Sequence, residues 1–126
     1  MASYQFMSPD WLAMVEREFQ AWLDRAGARA SFSLSEHYLG DPPSGWTIEL
    51  RNGVARLSPA PTRDADIIIE CVREDAAVSA KLPNGPAYDE FRAWRLKHGR
   101  LRVETRREIP RNGLESVHDA VAAQTR

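Results

Sequence analysis

From residue 8 the chain reads SPDWLAMVEREFQAWLDRAG, with Trp11, Leu12, Val15, Phe19, Trp22 and Leu23 recurring three and four apart. Glu16, Arg17, Glu18, Asp24 and Arg25 fall between them, so the period is that of an amphipathic helix. Ser8 suits the cap, Pro9 the first helical position and Asp10 the positive end of the dipole, and Gly27 supplies the stop. The period then shortens to two. In ASFSLSEHYL the apolar Phe32 and Leu34 alternate with Ser31, Ser33 and Ser35, which predicts a half-buried strand ended by GDPPSG. Trp46, Ile48 and Leu50 repeat the alternation, and Asn52-Gly53 predicts a tight hairpin into VARLS. PAPTRD closes that arm. The continuous run DADIIIECV then predicts a central strand covered on both faces, or well covered on at least one.

The second half returns to helical spacing. EDAAVSAKL, residues 74–82, predicts a short helix with Glu74 and Asp75 at its N-terminus. A further helix is predicted from Pro86, with Tyr88, Phe91 and Trp94 three apart, stopped by Gly99. After it, Leu101, Val103 and Thr105 alternate with Arg100, Arg102, Glu104 and Arg106, a strand with an apolar inner face and a basic outer one. Beyond Pro110 and an Arg-Asn-Gly turn, Leu114, Val117, Val121 and Ala122 mark a closing amphipathic helix. With no repeat, low-complexity segment or linker, the expectation is one α+β domain over residues 1–126, with five strands and accompanying helices.

Composition narrows the class. At 126 residues, 43% hydrophobic and 28% charged, the chain is long enough for one real core and is skewed toward neither disorder nor a disulfide scaffold. Cys71 is the only cysteine, so no disulfide forms within the chain; inside IIIECV it reads as a small buried thiol. No apolar run approaches a membrane span, and MASYQFMSPDWLAMVEREF lacks the pattern of an export signal. A reducing cytoplasm is therefore expected. Residues 92–111, RAWRLKHGRLRVETRREIPR, carry eight Arg and Lys against two Glu, inside a chain of net charge −1. The remainder is thus net −7, a balance that argues against a dedicated nucleic-acid binder. A basic face formed by Arg100, Arg102, Arg106 and Arg107 could still meet an anionic membrane surface or an acidic protein in transient contact.

From Gly45 to about Ala123 the chain resembles the sterol carrier protein family, type two, in its bacterial stand-alone form. The resemblance rests on an ordered set: a tryptophan-bearing strand, an Asn-Gly-Val hairpin, the run Asp-Ala-Asp-Ile-Ile-Ile, and the acidic helix start Arg73-Glu74-Asp75. Ala-Lys-Leu-Pro follows, and then His98-Gly99-Arg100-Leu101-Arg102-Val103-Glu104, similar to the family's Ser-Gly-Lys-Leu-Lys-Val-Glu-Gly-Asp strand. Where the family has Gly-Asp this chain has Thr105-Arg106, so the strand is expected to run longer. The resemblance implies a twisted, mostly antiparallel five-stranded sheet, four to five helices on one face, and an apolar tunnel between them. It also implies a non-catalytic carrier of an acyl chain, sterol or similar lipid, with no metal or other cofactor.

Four Trp, four Phe and three Tyr supply the aromatic surface such a cavity needs. The candidate ligand-binding residues are Phe19, Trp22, Phe32, Trp46, Ile48, Phe91, Trp94, Val117, His118 and Val121, each of which reads equally as core. His37, His98 and His118 lie far apart, and there is no GxSxG, HExxH, phosphate loop or paired-Cys motif. No catalytic residue is assigned. The alternative is a small enzyme of lipid or secondary metabolism using the same cavity, with His118, Glu36, Glu49 or Tyr88 among its polar groups. The open strand edges are compatible with a monomer or a dimer.

Overall fold

The computed structural model describes residues 3–26, 30–109 and 113–126. The expected stop at Gly27, and Arg111 and Asn112 of the expected turn, lie outside the described residues. Among the described residues, four helices and five strands follow one another as the periods predict.

Helix α1, Pro9–Ala26, starts where Ser8 Oγ accepts the Trp11 N–H at 3.1 Å. Its stripe is sunk in the core: Trp11, Met14, Val15, Phe19, Trp22 and Leu23 are all buried. At about 1.5–3 kcal/mol for each fully buried large side chain, that face dominates the docking of the helix. Strand β1, Phe32–Leu39, then runs antiparallel to β2, Ser44–Arg51, and β2 turns through Asn52 (φ 53°) and Gly53 (φ 78°) into β3, Val54–Ser58. Positive φ at both turn residues is what makes Asn-Gly the favoured hairpin pair. At the start of β2, Gly45 lies so close to β1 that a Cβ there would fall 2.1 Å from the Glu36 carbonyl oxygen.

Strand β4, Ile67–Val72, does not pair with its predecessor. The sheet order is β3-β2-β1-β4-β5, where β5 is Leu101–Thr105, with β4 parallel to β1 and every other pair antiparallel. Residues 59–66 must therefore carry the chain across β2 and β1 to reach β4. They do so on the face away from the helices, as a strap held by polar side chains. Thr47 Oγ1 donates to the Ala60 carbonyl at 2.8 Å, Ser35 Oγ accepts the Thr62 N–H at 2.9 Å, and His37 Nε2 meets the Thr62 carbonyl at 2.8 Å. Asp66 and Ser33 exchange two further bonds, Ser33 N–H to Asp66 Oδ2 at 2.9 Å and Asp66 N–H to Ser33 Oγ at 3.0 Å. The polar face of β1 is thus covered, and Ser35 has no exposure at all. Ile68 of β4, on the same side, is also buried, so the expectation of a strand covered on both faces holds.

Helix α2, Arg73–Ser79, follows β4 directly and ends three residues before the predicted Leu82, where Lys81 and Leu82 N–H turn back onto the Val78 and Ser79 carbonyls. Helix α3, Pro86–Lys97, ends in a Schellman arrangement: Arg100 N–H bonds the Arg95 carbonyl at 2.9 Å, Gly99 N–H bonds Leu96 at 3.3 Å, and Gly99 has φ 72°. No residue of α3 is fully buried. Strand β5 pairs with β4 at the sheet edge. It does not run on past Thr105 as expected. Arg106 N–H makes one more bond, to the Asp66 carbonyl, and Arg107 then turns inward to Asp66 Oδ2 at 3.0 Å and to the Ser31 carbonyl, which ends the ladder. Helix α4, Leu114–Ala123, buries Val117, Val121 and Ala122. Its exit is tied to the N-terminal segment by a Tyr4–Thr125 bridge and by Trp11 Nε1–H donating to Thr125 Oγ1 at 2.9 Å.

Candidate functional site

Alternation puts Phe32, Leu34, Glu36 and Tyr38 on the helix side of β1. Cross-strand register aligns Trp46 and Ile48 of β2, Ile67, Ile69 and Cys71 of β4, and Leu101 and Val103 of β5 on that same side. The helices do not fill all the space above this face. A cavity of about 250 Å³ lies between the sheet and all four helices. Phe6, Trp11, Val15 and Phe19 close it from the α1 side, Ala76 and Ala80 from α2, Tyr88, Phe91, Arg92 and Arg95 from α3, and Leu114, Val117, His118 and Val121 from α4.

Most of the wall is aromatic or aliphatic, and besides Ser79, Arg92 and His118 two groups of paired polar side chains stand in it. On the sheet, Trp46 Nε1–H donates to Tyr38 Oη at 2.8 Å and Tyr38 donates to Glu36 Oε1 at 2.6 Å. Burial pushes the Glu36 carboxyl above the usual carboxylate range, against the opposing hydrogen bond from Tyr38. Burial, with the neighbouring Glu36, lifts the Tyr38 phenol well above its ordinary value. On the helix side, burial raises Asp75 less than its partners lower it: Arg100 forms a two-pronged pair at 3.0 and 3.2 Å, Arg95 lies at 3.5 Å, and the carboxyl ends below the usual range. The Arg95 guanidinium covers the Phe91 ring at 3.3 Å, and its buried Nε meets Asp75 by charge alone, without hydrogen-bond geometry. Burial, with the charges of Glu36, Asp75 and Glu70, pushes the Cys71 thiol up to about 12, so it is not a nucleophile near neutral pH.

Seven of the ten candidate residues meet at this cavity: Phe19, Phe32, Trp46, Phe91, Val117, His118 and Val121. Three stand elsewhere. Trp22 is buried edge-on to Phe32 at 6.1 Å, and Ile48, on the inner face of the sheet, is sealed within the packed core. Trp94 lies on the outer side of α3, 49% exposed and stacked on His98 at 4.1 Å. His118 packs its ring against Tyr88 at 4.4 Å, while its Nε2 meets the Leu82 carbonyl at 2.6 Å. A carbonyl only accepts, so Nε2 carries a proton there and is committed to structure. The sequence reading missed Tyr38 and offered Glu36 only as one of several possible polar groups of the cavity. The signal was present: Glu36 is two places beyond Leu34 and Tyr38 four, so both share the apolar side of β1. Among the described residues no cluster of three potential metal ligands occurs, and no helix is long and apolar enough to cross a membrane.

Comparison with known proteins places the architecture. No protein-family model matches the sequence, and no curated protein does. Solved structures do match. The conserved hypothetical protein TT1886 from Thermus thermophilus is 13% identical, with a TM-score of 0.58 over 99% of this chain and 93% of that one. A crystal structure of sterol carrier protein 2 is 15% identical, with a TM-score of 0.52 over 94% and 93%. The ubiquinone synthesis protein UbiJ-SCP2 is 12% identical, with a TM-score of 0.50 over 92% and 93%. The chain thus has the sterol carrier protein fold: an α+β structure with a five-stranded, mostly antiparallel sheet.

Proposed function

We propose that this protein is a non-catalytic carrier of a hydrophobic small molecule, held between the sheet and the helices of a single domain. The observation that carries this reading is the cavity itself, which is mostly apolar, has few polar anchors, and is closed by all four helices in a fold shared with sterol carrier protein 2. An acyl chain, a sterol or a similar lipid fits that chemistry. The site groups favour carriage over catalysis: His118 is bound to a backbone carbonyl, Cys71 keeps its proton, and the Tyr38 hydroxyl is spent as a donor to Glu36. A lone buried thiol suits a reducing compartment such as the cytoplasm. The basic segment supports membrane or acidic-protein contact less than its composition suggests, because Arg100 is paired with Asp75, Arg106 with Glu104 and Arg107 with Asp66.

The test is extraction of the purified protein followed by mass spectrometry, together with displacement of a fluorescent fatty-acid probe. An apolar molecule should copurify or the probe should bind. Ala76 lies in the wall at 4% exposure, so Ala76→Phe projects a ring into the space and should weaken probe binding about tenfold or more while leaving the circular dichroism spectrum unchanged. Unaltered affinity in that variant would place binding outside the cavity.

A further inference from the structure

The sheet wall carries a single carboxyl in apolar company. Glu36 has Trp46 and Ile69 as its cross-strand neighbours and Leu34 and Tyr38 beside it on the same face of β1. The hydrogen-bonding capacity around it is ordered in one direction. The Trp46 indole N–H is spent on Tyr38 and the Tyr38 hydroxyl proton on Glu36 Oε1. Among the described residues the Glu36 carboxyl makes no other hydrogen bond, and no cation is bonded to it. Arg92 and Arg95 line the cavity from α3, with Arg95 held over Phe91 and beside Asp75. An ionised carboxylate in that position would stand largely withdrawn from water, facing an apolar cavity without a bonded counter-charge, whereas a neutral carboxylic acid accepts at Oε1 from Tyr38 and keeps an O–H at Oε2 as a donor.

Resting on the carrier reading above, we propose that Glu36, positioned by Tyr38, is the head-group site of the cavity, and that the ligand is an apolar molecule bearing a neutral hydrogen-bond acceptor such as a ketone, ester or hydroxyl oxygen. The acceptor docks at Oε2, and the hydrocarbon lies against Trp11, Phe19, Phe32 and Phe91. Recognition then depends on pH through Glu36. The other titratable and charged groups facing it are Tyr38 on its own strand, Cys71 on β4, Asp75 on α2, Tyr88, Arg92 and Arg95 on α3, and His118 on α4. Burial holds Tyr38, Cys71 and Tyr88 above their ordinary ranges, Arg100 and Arg95 hold Asp75 ionised, and His118 Nε2 is engaged by Leu82.

The experiment compares octyl methyl ketone, decanol and decane as competitors of diphenylhexatriene, a fluorescent hydrocarbon. Near pH 5 the wild type should bind ketone and alcohol about tenfold tighter than decane, the effect of one buried hydrogen bond. As pH rises toward about 9 the ketone should lose its advantage, because a carboxylate has no proton to give, while the alcohol keeps its own by donating. Glu36→Gln retains an N–H donor and should hold the ketone preference flat across pH. Glu36→Leu should bind all three alike. A ketone no better than decane in the wild type, a preference that survives in Glu36→Leu, or a pH dependence that persists in Glu36→Gln each overturns the proposal. Failure of diphenylhexatriene and of every competitor to bind overturns the carrier reading with it, whereas equal binding of the three overturns the head-group assignment alone.

Discussion

Glu36 and Asp75 both border the cavity, yet burial acts on them with opposite outcomes because only Asp75 has cations beside it. The pH responses follow from the signs. Asp75 ionises more readily in the fold than in the unfolded chain, so its contribution is present above the ordinary carboxylate range and is lost as pH falls through its lowered folded value. Glu36 holds its proton more tightly in the fold; its contribution is full in acid and is lost as pH rises through its raised folded value. Asp75→Asn should therefore cost about 1–3 kcal/mol at neutral pH, the range for hydrogen bonds to charged groups, and progressively less in acid. Glu36→Gln should do the reverse, with its melting temperature gaining on the wild type as pH goes from about 4 to about 8. Thermal denaturation of the three proteins from about pH 2 to about pH 8 checks both signs, Asp75 at the acid end and Glu36 above it, and curves parallel throughout would contradict them.

At the scale of elements, the local signals read true. The stripe of α1, the Asn-Gly hairpin, the β-branched run of β4 and the Gly99 stop each depend on neighbours within a few residues, and each formed as expected. The strap did not announce itself. Ser33 and Ser35 read as the polar side of a half-buried strand, because their partners at Asp66 and Thr62 lie 27 or more residues away. Trp94 was misplaced for a geometric reason. Three residues fall short of a helical turn, so two such steps from Tyr88 carry Trp94 about 120° away from it, while Phe91, Arg92 and Arg95 stay near the Tyr88 face. Two arginines on that face were invisible to an apolar pattern. Ser35 provides the test of the strap. Its hydroxyl accepts from Thr62 and contacts Trp46 O and Thr47 Oγ1 at 3.3 and 3.0 Å, so Ser35→Ala leaves a covered N–H without its acceptor. Chemical denaturation should show a loss of about 1–3 kcal/mol, and a loss below a few tenths would mean the strap contributes little.

For the whole molecule, three cations of the basic stretch act as internal ties. Arg95 and Arg100 join α3 and the entrance of β5 to Asp75 of α2, and Arg107 fastens the end of β5 to Asp66 and to the approach of β1. Of the four arginines expected on an outward face, Arg100 and Arg107 are anchors to other elements and Arg106 pairs with nearby Glu104, a distinction that requires the partners as well as the charges. The two ends of the described chain are joined as well, since the Tyr4 N–H bonds the Gln124 carbonyl and the Arg126 N–H bonds the Tyr4 carbonyl.

Within that stitched frame α3 is held through Arg95, yet it is the one described helix with no buried residue. It contributes Tyr88, Phe91, Arg92 and Arg95 to the cavity without burying any of them fully, and it leaves Trp94 and Leu96 on the surface. A helix so shallowly seated has little to lose by lifting away, so its amides should exchange with deuterated solvent through a local opening far cheaper than global unfolding. Those of α1, anchored by six buried side chains, should exchange only on the global route. Mass spectrometry of the exchanging protein should find α3 labelled first when empty and slowed when an apolar guest is present, and protection equal to that of α1 in the empty protein would refute the idea. The same weakness would then be the doorway: a guest could come and go at the rate at which one helix breathes, with the sheet beneath it left intact.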